Sequence, residues 1–169
     1  NPDIAKEKFP DLNIILFDIE EEKKSSDTIK DHHLVISMLP AHLHVIAATH
    51  CAANGIHLIT ASYMTDEIKA LEEQFKKNNA CCVMEMGLDP GIDHMSAMKV
   101  LDRIKAEGHE LTAFETFTGG LLDEVSEKDK PWQYIFTWNP RNGLMAGTCS
   151  VKFIQEGRYK YIPYHRLFS

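Results

Sequence analysis

At 169 residues the chain is long enough for one domain or for pieces of two, and a domain of this size buries about 70% of its unfolded surface without a covalent staple. Its 44% hydrophobic and 25% charged residues describe an ordinary soluble globular composition. A net charge of −7 argues against a nucleic-acid partner, which needs clustered Lys and Arg, and no apolar run approaches the ~20 residues that span a bilayer.

The chain opens on Asn1-Pro2-Asp3, with neither an initiator Met nor a signal peptide, so it is expected to start inside a longer protein. The first expected strand is Leu12-Asn13-Ile14-Ile15-Leu16-Phe17, and the charged stretch 20–30 reads as a short solvated helix. Leu34-Val35-Ile36-Ser37-Met38-Leu39 is an apolar run of the kind covered on both faces of a parallel sheet. Pro40 halts it and suits the first turn of a helix. That helix runs to Ala53 with Leu43, Ile46 and Ala47 on one face, and Asn54-Gly55 closes it.

Ile56-His57-Leu58-Ile59-Thr60-Ala61 is the third expected strand. Thr65 then caps a helix that has Asp66 and Glu67 in its first turn, Ile68, Leu71 and Phe75 as its stripe, and Asn78-Asn79 as its stop. A fourth strand, 81–86, leads to a Pro-Gly turn. A helix from Ile92 follows, carrying Ala97, Met98, Leu101 and Ile104 inward and ending at Gly108. Strands alternating with short helices predict a parallel βαβ sheet.

Beyond Gly108 the pattern changes. Residues 111–117 and 134–138 read as strands joined by a charged loop over 122–130. Gln155-Glu156-Gly157-Arg158, between two alternating runs, is a hairpin signal. The residues thus predict an α/β fold, a parallel sheet followed by an antiparallel second domain that is begun but not finished. The division falls at residues 1–92 and 93–169.

Four cysteines, Cys51, Cys81, Cys82 and Cys149, show no C-x-x-C spacing. Cys81 and Cys82 would point to opposite faces of a strand, so no metal site is expected. Free thiols fit a reducing cytoplasm. His42 and His44 face different directions on a helix, and with His32 and His33 they are taken as surface residues.

Three successive strands end in small polar or special segments: Ser37-Met38-Leu39-Pro40, Ala61-Ser62-Tyr63 and Leu88-Asp89-Pro90-Gly91. Parallel connections put all three at the carboxyl edge of the sheet, where ligands bind in open α/β folds. The rim is apolar apart from Ser37, Ser62, Tyr63 and Asp89, which suits a cofactor ring and one small polar substrate. Taken alone, the stretch Glu85 to His94 is equally an ordinary strand–turn–helix joint, with Asp93 as N-cap and Asp89 in the turn. Gly119-Gly120 would allow close backbone approach to a ligand, or form a plain turn. No G-x-G-x-x-G occurs in the chain, so the pyrophosphate-binding turn of a dinucleotide unit is missing.

Val35-Ile36-Ser37-Met38-Leu39-Pro40, Thr60-Ala61-Ser62-Tyr63 and Gly87-Leu88-Asp89-Pro90-Gly91-Ile92-Asp93-His94 resemble the V-I-S-L-x-P, T-x-S-Y and G-L-D-P-G-I-D-H segments of the saccharopine dehydrogenase (glutamate-forming) family, also called saccharopine reductase. Gly119-Gly120-Leu121 and Tyr134 to Arg141 resemble two further family segments, so the likeness covers nearly the whole chain. It implies a Rossmann domain followed by an α+β substrate and dimerisation domain, of which this chain would hold a truncated Rossmann-like parallel sheet and part of the α+β domain with antiparallel strands. It also implies a homodimer, and NADP- or NAD-dependent interconversion of saccharopine with glutamate and 2-aminoadipate semialdehyde in lysine metabolism.

By that resemblance Ser37, Met38, Leu39 and Ser62 would contact the cofactor. Ser62, Tyr63, Asp89, Gly91 and Thr118 would face a small amino-acid substrate, with Asp89 and Tyr63 positioning it or handling protons. A carboxylate at a closed rim favours a cationic secondary amine, and amides from Gly91 onward offer donors to a substrate carboxylate. Two departures stand out: Thr118 replaces the Cys that often precedes the Gly-Gly, and Leu122-Asp123-Glu124-Val125 replaces a Pro-Glu segment. The fingerprint would precede Asn1 and most of the second domain would follow Ser169, so this piece alone is expected to bind cofactor weakly or not at all. The alternatives are a related amine–aldehyde coupling enzyme of the carboxynorspermidine or homospermidine type, and a non-catalytic binding or assembly piece.

Overall fold

The computed structural model describes residues 2–117, 139–141, 147–148 and 150–167. They fall into two compact units, Asn1–Leu111 and Thr112–Ser169.

The first unit is built on three parallel strands, β1 (Leu34–Ser37), β2 (His57–Thr60) and β3 (Cys82–Val83), in the order β1-β2-β3. Leu34 pairs with His57 and Ser37 with Thr60, while Leu58 pairs with Cys82. The helices in chain order are α1 (Pro2–Lys8), α2 (Glu22–Ile29), α3 (His44–Asn54), α4 (Asp66–Lys69), α5 (Glu72–Lys77) and α6 (Ile92–Ala106). A 3₁₀ turn, Ala41–Leu43, precedes α3.

The core gathers around α3. Ala48, Cys51 and Ala52 are fully buried against Leu58, with Ile29, Ile56, Ile68, Phe75 and Met84 completing the cluster. Small side chains on this face let the helix lie close to the sheet. Gly55 ends α3 in the left-handed region at φ 70°, and Ile56 N donates to Cys51 O at 2.9 Å, a closed C-terminal turn that favours glycine. Asn78 Nδ2 also donates to Ala52 O at 2.7 Å, tying the end of α3 to the end of α5. Burial pushes the Cys51 thiol up to about 12, so it is inert at neutral pH.

Four local expectations are corrected. Residues 12–17 are extended but belong to no sheet. Leu16 and Phe17 line an open groove of about 920 Å³ together with Val35 and Ile36 and make no ladder with β1. The expected single helix from Thr65 to Lys77 is two, because Leu71 N bonds to Ile68 O at 3.0 Å and tightens the chain there. The Thr65 cap itself is present, its hydroxyl accepting from Ile68 N at 3.3 Å. α6 has no buried residue; Ala97, Leu101 and Ile104 are half-buried and Met98 is exposed. Residues 111–117 form no strand, and their expected partner, 134–138, lies outside the described residues.

In the second unit, β4 (Val151–Gln155) and β5 (Arg158–Ile162) form the expected antiparallel hairpin. Glu156 at φ 53° and Gly157 at φ 72° give two left-handed residues in succession, the turn that matches strand twist. Lys152 Nζ lies 4.3 Å from the Tyr159 ring centroid. The parallel sheet followed by a separate antiparallel pair agrees with the expected fold class. Among the described residues no helix is long and apolar enough to cross a membrane.

Two substitutions measure this core. Leu58→Ala should lower unfolding free energy by about 2–5 kcal/mol through the cavity it leaves, and Thr65→Ala by about 1 kcal/mol through the lost cap, both read from urea denaturation midpoints.

Candidate functional site

Ser37 and Thr60 form the last rung of the β1–β2 ladder, so their side chains share one face of the sheet. Both are buried. His44, the first residue of α3, covers them: its Nδ1 lies 2.8 Å from Ser37 Oγ and 3.4 Å from Thr60 Oγ1. Thr60 Oγ1 in turn accepts from Ser62 N at 3.2 Å. Burial holds the His44 imidazole below its ordinary pKa, which keeps it neutral. His44 is therefore not the surface residue expected from its spacing to His42.

The segment after β3 is laced to the same place. Met86 N donates to Thr60 O and Glu85 N to Ser62 O, each at 3.0 Å. Gly87 passes so close that a Cβ there would sit 3.0 Å from Ala61 Cβ. The chain then turns back on itself: Gly87 N donates to Pro90 O at 2.9 Å, Ile92 N to Gly87 O at 3.0 Å and Asp93 N to Leu88 O at 3.1 Å. The Asp89–Pro90 peptide is cis, and Gly91 has φ 145°. Any Cβ at Gly91 would collide with the Gly87 carbonyl and lie 2.8 Å from Glu85 O, so this turn requires glycine.

The Gly91 N–H is given to Asp93 Oδ1 at 3.0 Å, and the next two amides go to turn carbonyls. What Gly91 supplies in this structure is the turn itself, since its N–H already has an acceptor.

Tyr63 is half exposed. Partial burial first, then the negative charges of Asp89, Glu85 and Asp93, raise its phenol above the ordinary value. It is thus a neutral donor at physiological pH, facing an acidic mouth. Asp89 is exposed at the turn, and Glu85 Oε1 accepts from Met64 N at 3.4 Å. Asp89, Asp93 and His94 bring one ligand atom each within 4.8 Å of one another, but Asp93 Oδ1 is already bonded to His94 Nδ1 at 2.7 Å.

The structure thus brings Ser62, Tyr63 and Asp89 to one edge with Ser37. The Ser37 hydroxyl turns inward to His44, leaving Met38, 84% exposed, and half-buried Leu39 at the end of β1. Thr118 lies outside the described residues. His44, Thr60 and Glu85 are the additions. His44 was legible in principle: His44, Ala47, Ala48, Cys51 and Ala52 are all buried, a helical i, i+3, i+4, i+7, i+8 stripe in which the histidine takes the first position.

Residues 3–83 match the family model described as saccharopine dehydrogenase NADP binding domain, and residues 87–169 match that of the saccharopine dehydrogenase C-terminal domain. The chain belongs to the saccharopine dehydrogenase family. It is 39% identical over 140 residues to the bovine mitochondrial alpha-aminoadipic semialdehyde synthase, covering 82% of this chain and 15% of that protein. It is 32% identical over 163 residues to the Arabidopsis thaliana alpha-aminoadipic semialdehyde synthase, covering 96% and 15%. With the Schizosaccharomyces pombe saccharopine dehydrogenase [NADP(+), L-glutamate-forming] it shares 31% over 149 residues, covering 88% and 33%. The apo saccharopine dehydrogenase (L-Glu forming) of Saccharomyces cerevisiae superposes with a TM-score of 0.80 at 27% identity, over 99% of this chain and 38% of that one. This saccharopine dehydrogenase family chain therefore spans between about a seventh and two fifths of the relatives' lengths.

The Asp93–His94 pair fixes the sign of one titration. Bonding to Asp93 raises the His94 pKa above 6.5, so the pair contributes stability that is full below pH 6.5 and fades as pH rises through the raised value. For Asp93, burial raises the pKa, but the hydrogen bonds from His94 and Gly91 together hold it below the carboxylate norm. An NMR titration should show His94 above an ordinary imidazole and returning toward it in Asp93→Asn.

Proposed function

We propose that the protein containing this chain is an NADP- or NAD-dependent oxidoreductase acting on the CH–NH bond of saccharopine, releasing glutamate and 2-aminoadipate semialdehyde, or joining them in reverse. The observation that carries this reading is the placement of a neutral Tyr63 among the carboxylates of Asp89, Glu85 and Asp93 at the carboxyl edge of a parallel sheet. A negative mouth there is complementary to a substrate whose reacting nitrogen is a cationic secondary amine.

Each group has a role. Asp89, exposed at the turn, pairs with the substrate ammonium and takes up or returns its proton. Tyr63, protonated at neutral pH, donates to a substrate carboxylate. Ser62 borders both, its backbone held by Thr60 and Glu85. Gly91 holds the turn that presents Asp89.

The residues present fit the nicotinamide end of a dinucleotide. Met38 and Leu39 offer an apolar wall at the end of β1, and the hydroxyls behind them, Ser37 and Thr60, are already bonded to His44. The cofactor, when bound, supplies the hydride acceptor or donor; the chain's own part is to hold the ring and the amine together. The functional division proposed here is 1–92 and 93–169; the two family matches meet between residues 83 and 87, and the compact units divide at Leu111 and Thr112. We read the compartment as reducing, consistent with the free thiols of Cys51, Cys81 and Cys82.

Asp89→Asn in the full-length protein should lower kcat/KM for saccharopine about 10- to 100-fold, the worth of one charge-assisted hydrogen bond at ~1.5–3 kcal/mol. Absorbance at 340 nm follows the reaction. No change in that absorbance with wild-type protein, saccharopine and either NADP or NAD would refute the reading.

A further inference from the structure

The Ser37 hydroxyl, the His44 imidazole, the Thr60 hydroxyl and the Ser62 amide form one hydrogen-bonded chain at the end of the sheet, and the roles assigned above make no use of the imidazole. We propose that His44 is a positioning residue: its neutral Nδ1 accepts from both the Ser37 and Thr60 hydroxyls and so clamps the ends of β1 and β2, setting the separation of the Met38–Leu39 wall from the Ser62–Tyr63 segment. The inference rests on the functional reading above, because only a rim that holds a nicotinamide ring needs that separation fixed.

The geometry carries it. Ser37 and Thr60 are register partners, and His44 reaches both from α3 with one nitrogen, at 2.8 Å and 3.4 Å. In the Nε2–H tautomer that this role requires, the Nδ1 lone pair faces both hydroxyls, with the short contact to Ser37 and the longer one to Thr60. Thr60 Oγ1 relays the constraint, accepting from Ser62 N at 3.2 Å and lying 3.4 Å from His44 Nδ1. Thr60 O and Ser62 O then hold the amides of Met86 and Glu85, so the same clamp extends to the strand end that leads into the Asp89 turn.

His44 is 4% exposed and Ser37 and Thr60 3% and 1%. Removing the imidazole would leave two buried hydroxyls without their acceptor. A purely packing role predicts something different: any side chain of similar volume would serve. The two roles separate because asparagine places an acceptor near the Nδ1 position, while leucine fills the space without one.

The test uses the full-length protein, with NADPH affinity from fluorescence titration as the main readout. His44→Leu should weaken NADPH binding about tenfold or more and His44→Asn about threefold or less, with the substrate KM nearly constant in both. Thr60→Val, nearly isosteric, should weaken NADPH binding in the same direction should His44→Leu fail to fold. In the wild type, ¹⁵N shifts of His44 should report a bare Nδ1 and a protonated Nε2. Equal losses in the leucine and asparagine variants, or a proton on Nδ1, would overturn the proposal. Wild-type NADPH binding without turnover of saccharopine would defeat the substrate assignment alone, while absent NADPH binding would defeat both.

Discussion

The arrangement at the carboxyl edge of the sheet depends on one rung, Ser37 opposite Thr60, closed from above by His44. Parallel pairing brings the two strand ends side by side, but a pairing of four residues leaves the connections beyond it free to diverge. A single imidazole bonded to both hydroxyls removes that freedom. From Thr60 the constraint passes to Ser62 by a hydrogen bond and to Met86 by another. The three loops therefore inherit their placement from buried polar contacts, which cost little only because every member is satisfied.

Above that rung the chemistry is a matter of charge. The tight turn at Gly87–Gly91, possible because Gly91 has no Cβ, brings Asp89 and Asp93 to the side of Tyr63 already approached by Glu85. Three carboxylates sharing a mouth repel one another, and a cation relieves that repulsion. Partial burial and the same negative charges keep the Tyr63 phenol neutral. The mouth is thus complementary to a cation, the amine of the substrate proposed above.

Much of this architecture is readable in the residues. Thr65 caps its helix, Asn54-Gly55 ends another, and Glu156-Gly157 makes the hairpin turn, because each is a local device whose chemistry lies within four or five positions. Features set by distant contacts were not readable. Residues 12–17 have the composition of a strand, yet pairing depends on a neighbour at ladder spacing, and they make no ladder with β1. The break at Leu71 has no Gly or Pro to announce it. α6 has an apolar pattern without a buried side chain, since a stripe shows what a helix could bury and leaves open what covers it.

The site shows the same division. Ser62, Tyr63 and Asp89 were visible as polar exceptions on an apolar rim. His44 was hidden by its type, a histidine on an otherwise aliphatic stripe. The most direct measurement of the central claim is a crystal structure of the full-length protein with NADP and saccharopine bound. The account predicts the substrate's secondary amine beside the Asp89 carboxylate and Tyr63 hydroxyl, with the nicotinamide against Met38 and Leu39. Substrate density elsewhere, with Asp89 and Tyr63 facing solvent, would contradict it.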